Sequence, residues 1–185
     1  GSIELPPGYT LGPAGEIADS SESQQELFRY APHCLLAMLV LLLFQFDSFR
    51  NTALVMSTIP LILVGSILGL YIFRAHFEFP ALLGIFSLAG IIINNSIVMI
   101  DRIVQERAAG QDIDESAISA AIFRVRPILI TTTTTVVGLV PLALFGGEFW
   151  YSMSIVIMCG LGVGTMLTLG FVPVVYSLLN RRKKT

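Results

Sequence analysis

Charged side chains are scarce in this sequence, and Asp, Glu, Lys and Arg are absent from the middle of every long apolar run. Charged residues make up 13% of its 185 positions, about half the ~25% usual in soluble proteins. A net charge of −2 offers no basic field to hold phosphates, which argues against a nucleic-acid partner. Cysteine and histidine occur twice each. Cys34 and Cys159 lie far apart in apolar sequence, the pattern of free buried thiols, and His33 and His76 stand alone. No CxxC, HExxH or paired His/Cys cluster occurs, so neither a metal nor another cofactor is expected. Nucleophile–base pairs and phosphate loops are missing too, and the chain does not read as an enzyme.

What is present is hydrophobicity. Apolar residues fill 54% of the chain, and mean hydropathy is +0.78. A bilayer core about 30 Å thick needs roughly 20 helical residues to cross it. Five runs meet that need, at about 24–46, 53–73, 80–105, 127–145 and 149–179. The last exceeds the requirement, which implies tilt or a projecting end, and Pro173 is a candidate kink. Residues 1–30 differ. Leu5-Pro6-Pro7-Gly8-Tyr9 and Gly12-Pro13-Ala14-Gly15 are turn-rich and flank one candidate short strand, Tyr9–Leu11. Asp19 to Ser23 offers N-cap residues for a helix starting near Ser23. With few apolar side chains, 1–30 reads as a linker or an extracytoplasmic remnant, and 31–185 as the membrane region. Gly1-Ser2 in place of an initiator methionine reads as a cloning scar on a fragment. The expected fold is an all-α integral membrane bundle of five spans, with a short cytoplasmic amphipathic helix and a small extramembrane N-terminal segment.

Lysine and arginine set the orientation. Alternate loops place Arg50, Arg102, Arg107, Arg124, Arg126, Arg181, Arg182, Lys183 and Lys184 on one side, and only Arg29 and Arg74 on the other. The positive-inside rule makes the richer side cytoplasmic, so the N-terminal stretch lies outside and the C-terminus inside. Trp150 and Tyr151 suit an interfacial anchor at the outer end of the fifth span. Between the third and fourth spans, Gly110 is a helix-ending residue, and Asp112 with Glu115 forms a variant capping box. Ile113, Ala117, Ala120 and Ala121 follow at helical spacing, with Arg124 and Arg126 complementing a helix C-terminus. This predicts a separate surface helix over 112–126, with Pro127 as the bend into the fourth span.

Gly65 and Gly69 form one GxxxG pair and Gly160 and Gly164 another, a spacing that lets helix backbones approach closely in lipid. Polar groups within spans are the first candidates for function, because they are costly unless partnered. Asn94 and Asn95 lie mid-span in the third run, and seven-residue steps put Ser87, Asn94 and Asp101 on one stripe. An amide can donate to a carboxylate and accept from a hydroxyl. It serves either as partner to a titrating acid on another helix or as interhelical glue. Thr131 to Thr135 open the fourth span. Thr131, Thr134 and Thr135 share a face, either lining a hydrated path or bonding their own backbone. No Asp, Glu, Lys or Arg sits in the middle of a span, so a proton-driven machine built on this chain needs an acid from elsewhere.

These residues resemble the resistance–nodulation–division (RND) efflux transporters, at the end of the second half of the chain. Leu5 to Tyr9, with Gly15-Glu16 and Ser20, is similar to the exit from the last periplasmic subdomain. Phe46-Asp47-Ser48-Phe49 followed by Ile59-Pro60-Leu61 resembles the junction of the eighth and ninth helices. Gly90 through Asn94-Asn95 to Asp101 resembles the tenth helix, and Arg124-Val125-Arg126-Pro127-Ile128-Leu129-Ile130-Thr131 the approach to the eleventh. The resemblance implies a five-helix half-bundle. Asn94 stands where the best-studied members carry a lysine facing aspartates on the fourth helix. A neutral amide lacks that charge but can still hydrogen-bond an acid. Thr131 matches a relay threonine and Arg124 an arginine of the family pattern. Asn95 and Asp101 join the expected proton-coupling network from the polar reading of the third span.

The resemblance further implies a proton-driven exporter of drugs or other amphiphiles in the bacterial inner membrane, inactive as an isolated piece. Its partners would be the N-terminal half of the transporter, two further copies in a homotrimer, a periplasmic adaptor, an outer-membrane channel and the lipid bilayer. A metal route of the family would want a methionine ladder, and the six methionines form none. The alternative is a non-transporting membrane scaffold that packs on a partner through its glycine faces.

Overall fold

The structure, a computed structural model, describes residues 16–181, with side chains described for 23–180. The strand expected at Tyr9–Leu11 and nearly all of the basic tail lie outside the described residues. Six helices follow in order: α1 Glu16–Phe46, α2 Phe49–Met56, α3 Ile59–Phe73, α4 Phe79–Ala108, α5 Ile113–Phe145 and α6 Gly147–Arg181. Five segments are long and apolar enough to cross a membrane: Ser23–Phe46, Phe49–Phe73, Phe79–Ala108, Ile113–Phe145 and Gly147–Asn180. The all-α membrane bundle read from the sequence is what the chain forms.

Helix α1 starts at Glu16 rather than near Ser23. Once a long apolar helix is nucleated, each further residue adds a bond at small cost. At its other end the chain turns at Asp47, whose φ of 45° lies in the left-handed region that aspartate tolerates better than most residues. The second span is not one helix. Ser57 and Thr58 separate α2 from α3, and their hydroxyls donate back to the Leu54 and Val55 carbonyls at 2.6 and 2.7 Å. Pro60 lies in the first turn of α3, where its missing N–H goes unmissed.

Gly110 closes α4 with a φ of 95°, the left-handed C-terminal stop its sequence suggests. Beyond it Asp112 is the N-cap of α5 with extended backbone, but its side chain makes no cap bond. Instead Ser116 Oγ donates to the Asp112 carbonyl at 2.7 Å. The separate helix expected over 112–126 does not exist. Helix α5 runs unbroken through Pro127 and Pro141 for 33 residues, so Arg124 and Arg126 sit mid-helix and complement no terminus. A proline removes a single main-chain donor, a loss that helices in apolar surroundings tolerate. Ser116, Ala117, Ala120, Ile128 and Thr132, on both sides of the proline, are buried, and this shared packing holds both halves against the bundle. At ~1.5 Å per residue, α5 is about 50 Å long and exceeds the ~30 Å apolar layer. Only Gly146 separates it from α6, and Gly147 makes the turn with a φ of 80°.

Helix α6 is the hub, packing on α2, α3, α4 and α5. One apolar core gathers Leu42, Leu54, Ile100, Ile103, Val172 and Tyr176, and a second Ile62, Leu88, Ile92 and Leu161. The two GxxxG pairs meet where Gly65 faces Gly160, and all four glycines are buried. A Cβ on Gly65 would stand 3.0 Å from Gly160 Cα and 3.1 Å from the Cys159 carbonyl. One on Gly69 would meet the Cys159 side chain, and one on Gly164 would stand 2.5 Å from Ile92 Cδ1. Backbones this close require the absent side chains. Helix α1, by contrast, packs chiefly on α2 and α4, and its remaining surface is bare. Cys34 is therefore exposed and Cys159 half-buried, both free, correcting the expectation of two buried thiols.

Candidate functional site

Helix α4 buries Ala81, Gly84, Leu88, Ile92, Ser96, Met99 and Ile103, a stripe recurring every three to four residues as one helix face must. Asn95 is three residues after Ile92 and four before Met99, which puts it on the edge of that stripe. It is half-buried. Together with Ile92, Met99, Ile128, Thr165, Thr168 and Leu169 it lines a crevice of about 10 Å³ between α4, α5 and α6. Asn94, about 100° round the helix, falls off the packed face and is exposed, as is Ser87.

The five residues expected to form a proton-coupling network are not joined to one another by hydrogen bonds among the described residues. Asp101 lies seven residues from Asn94, about 10 Å along the axis, and accepts from Gln105 Nε2 at 2.8 Å. Thr131 Oγ1 donates to the Ile128 carbonyl at 2.9 Å. Thr134 and Thr135 bond the Ile130 and Thr131 carbonyls at 2.7 and 2.9 Å. These three threonines thus spend their hydroxyl protons on their own backbone and keep only acceptor capacity. Thr132 is different: its Oγ1 stands 3.2 Å from Thr165 Oγ1, both residues buried, and ties α5 to α6. Arg124 is half-buried on α5.

A second polar group ties the far ends of α4, α5 and α6. Arg102 pairs with Glu106 at 2.5 Å, and its guanidinium lies 5.1 Å from the centre of the Phe123 ring. Ser177 Oγ donates to Asp114 Oδ1 at 2.5 Å. At the opposite end Tyr151 donates to the Phe73 carbonyl at 3.3 Å, while Trp150 is exposed. The sequence reading missed Thr165, Thr168, Ser177 and Asp114. Thr165 and Thr168 did leave a signal, two hydroxyls three residues apart in an otherwise apolar run.

Chemically this is an amide on a bare helix face, with polar groups behind it and, among the described residues, no carboxylate at its depth. The family profile of AcrB, AcrD and AcrF matches residues 1–180. The chain belongs to the AcrB/AcrD/AcrF family. It is 31% identical over 183 residues to the cobalt-zinc-cadmium resistance protein CzcA of Cupriavidus metallidurans, covering 97% of this chain and 17% of CzcA. The swarming motility protein SwrC of Bacillus subtilis is 30% identical over 186 residues, 98% of this chain and 18% of SwrC. The multidrug resistance protein MdtC of Erwinia tasmaniensis is 36% identical over 143 residues, 75% of this chain and 14% of MdtC. In a crystal structure of a heavy metal efflux pump, the matching part superposes with a TM-score of 0.78 at 28% identity, over 90% of this chain and 17% of the pump. The chain thus spans less than a fifth of the length of these relatives. The RND resemblance read from the sequence holds, and the family's role is efflux. The scaffold alternative is not favoured, and its glycine faces are already buried against each other.

Proposed function

We propose that this chain is the C-terminal membrane segment of a proton-motive-force-driven RND exporter and does not transport by itself. The observation carrying this reading is the exposure of Asn94 at the middle of α4. An amide facing hydrocarbon is costly, so protein from outside this chain covers that face. The element best suited to it brings an acid: an amide donates to a carboxylate, and the spans here hold no carboxylate of their own at that depth. The bare surface of α1 and α5 is where the rest of the transporter docks. Asn94 then hydrogen-bonds the acid and changes partner strength as the acid gains and loses its proton. Thr131 and Arg124 on α5, with Asn95 and Asp101 on α4, surround that event.

The N-terminus faces the periplasm and the C-terminus the cytoplasm, in the bacterial inner membrane, as the distribution of lysine and arginine favours. The full protein works as a homotrimer with a periplasmic adaptor and an outer-membrane channel. Its cargo is a drug or another amphiphile. In support, the six methionines are scattered over α1, α2, α4 and α6, with Met166 exposed and Met99 fully buried, and make no ladder for a soft metal. Two measurements test the reading. An antibody against the Arg181–Thr185 tail detects a native membrane protein far heavier than 20.1 kDa, and a protonophore stops drug export by that protein. A native product near 20.1 kDa, or export indifferent to the protonophore, contradicts it.

A further inference from the structure

Thr168 departs from its neighbours. Threonine in a helix ordinarily places its hydroxyl on the carbonyl a turn earlier, as Thr131, Thr134 and Thr135 do on α5. Thr168 is 5% exposed, and its Oγ1 is buried without a hydrogen-bond partner. Native interiors rarely leave such a group unpaired unless something else binds it.

The same residue lines the crevice of about 10 Å³ shared with Asn95 and Thr165 and walled by Ile92, Met99 and Leu169. That volume is at the lower limit for one water molecule, which also needs two to four polar partners. They are there. Thr168 brings an unused hydroxyl. The Asn95 amide brings both donor and acceptor capacity, and Thr165 Oγ1, already shared with Thr132 at 3.2 Å, retains capacity for a further bond. A bare cation is a poor occupant, because no carboxylate lines the space and an unpaired buried charge is very costly. An apolar group is poorer still, since it would leave the hydroxyl unpaired.

We propose that this crevice binds one water molecule, which joins Asn95 on α4 to Thr168 on α6. Through Thr165 and Thr132 the hydrogen bonds continue onto α5, one residue from Thr131. Three helices are thereby linked at the level of the two asparagines. The site lies wholly within this chain and stands whether or not the transporter is proton-driven.

The test is a density map of the full-length protein fine enough to show ordered water. The expected result is a peak within about 2.6–3.2 Å of both Thr168 Oγ1 and the Asn95 side chain, lost in Thr168→Val and restored in Thr168→Ser. An empty crevice, a peak that persists in Thr168→Val, or a Thr168 hydroxyl turned onto the Gly164 carbonyl overturns the proposal. Thermal unfolding gives a second readout. Losing a water bridge lowers the Tm of Thr168→Val, whereas replacing a lone unpartnered hydroxyl by a methyl leaves it unchanged or raised. Should Thr168→Val fail to fold, the wild-type map alone decides.

Discussion

Asn94 and Asn95 are consecutive on α4, yet only Asn95 turns into the bundle: it lines the crevice with Thr165 and Thr168, while Asn94 lies exposed on the free face. The divergence follows from the helical repeat once α5 and α6 have chosen the face they cover. One asparagine is held by this chain. The other is left for whatever packs against it.

The α3–α6 contact depends on Gly65, Gly69 and Gly160, while Gly164 makes room for Ile92 of α4. Gly65→Leu and Gly69→Leu push a side chain into the Val163–Gly160 and Cys159 surfaces, and overpacking typically costs about 1–3 kcal/mol. The monodisperse gel-filtration peak of the detergent-solubilised protein should shrink severalfold in both. Gly90→Ala is the control, because nothing lies within 4 Å of the added Cβ. Its yield should match or exceed wild type, alanine being favoured over glycine within a helix by up to ~1 kcal/mol.

Pro127 lies within an unbroken helix, so Pro127→Ala should restore a main-chain bond. Folded yield and Tm at or above wild type are expected, measured by thermal unfolding in detergent. A loss of folded protein would mean that the proline sets the path of α5.

The Ser177–Asp114 bond closes the end of α6 against the start of α5. A hydrogen bond to a charged acceptor contributes about 1.5–3 kcal/mol. Ser177→Ala should therefore speed amide hydrogen exchange in the last turns of α6 while leaving the segment around Gly160 unchanged. Uniformly faster exchange along α6 would contradict a local clamp.

Much of this architecture was legible because it rests on composition and run length. A helix must be about 20 apolar residues long to cross a bilayer, and that requirement alone locates all five spans. The glycine pairs were equally visible, although nothing in their spacing says which helix each one meets. Local rules misled where packing overrode them. Pro127 reads as a boundary, but the helix continues through it, with buried residues on both sides. The second span reads as one helix, since the break at Ser57 and Thr58 is made by hydroxyls bonding carbonyls one turn back. The buried polar crevice was not legible: Asn95, Thr165 and Thr168 come from helices far apart in sequence, and only the hub position of α6 brings them together.

The central claim is that Asn94 hydrogen-bonds a titrating acid supplied from outside this chain. The most direct measurement is drug efflux driven by an imposed pH gradient, in vesicles containing equal amounts of folded full-length protein with Asn94 or with Asn94→Leu. Leucine fills the space but cannot hydrogen-bond, so gradient-driven efflux should fall at least tenfold while the folded amount stays constant. Efflux at the wild-type rate in Asn94→Leu would contradict the claim.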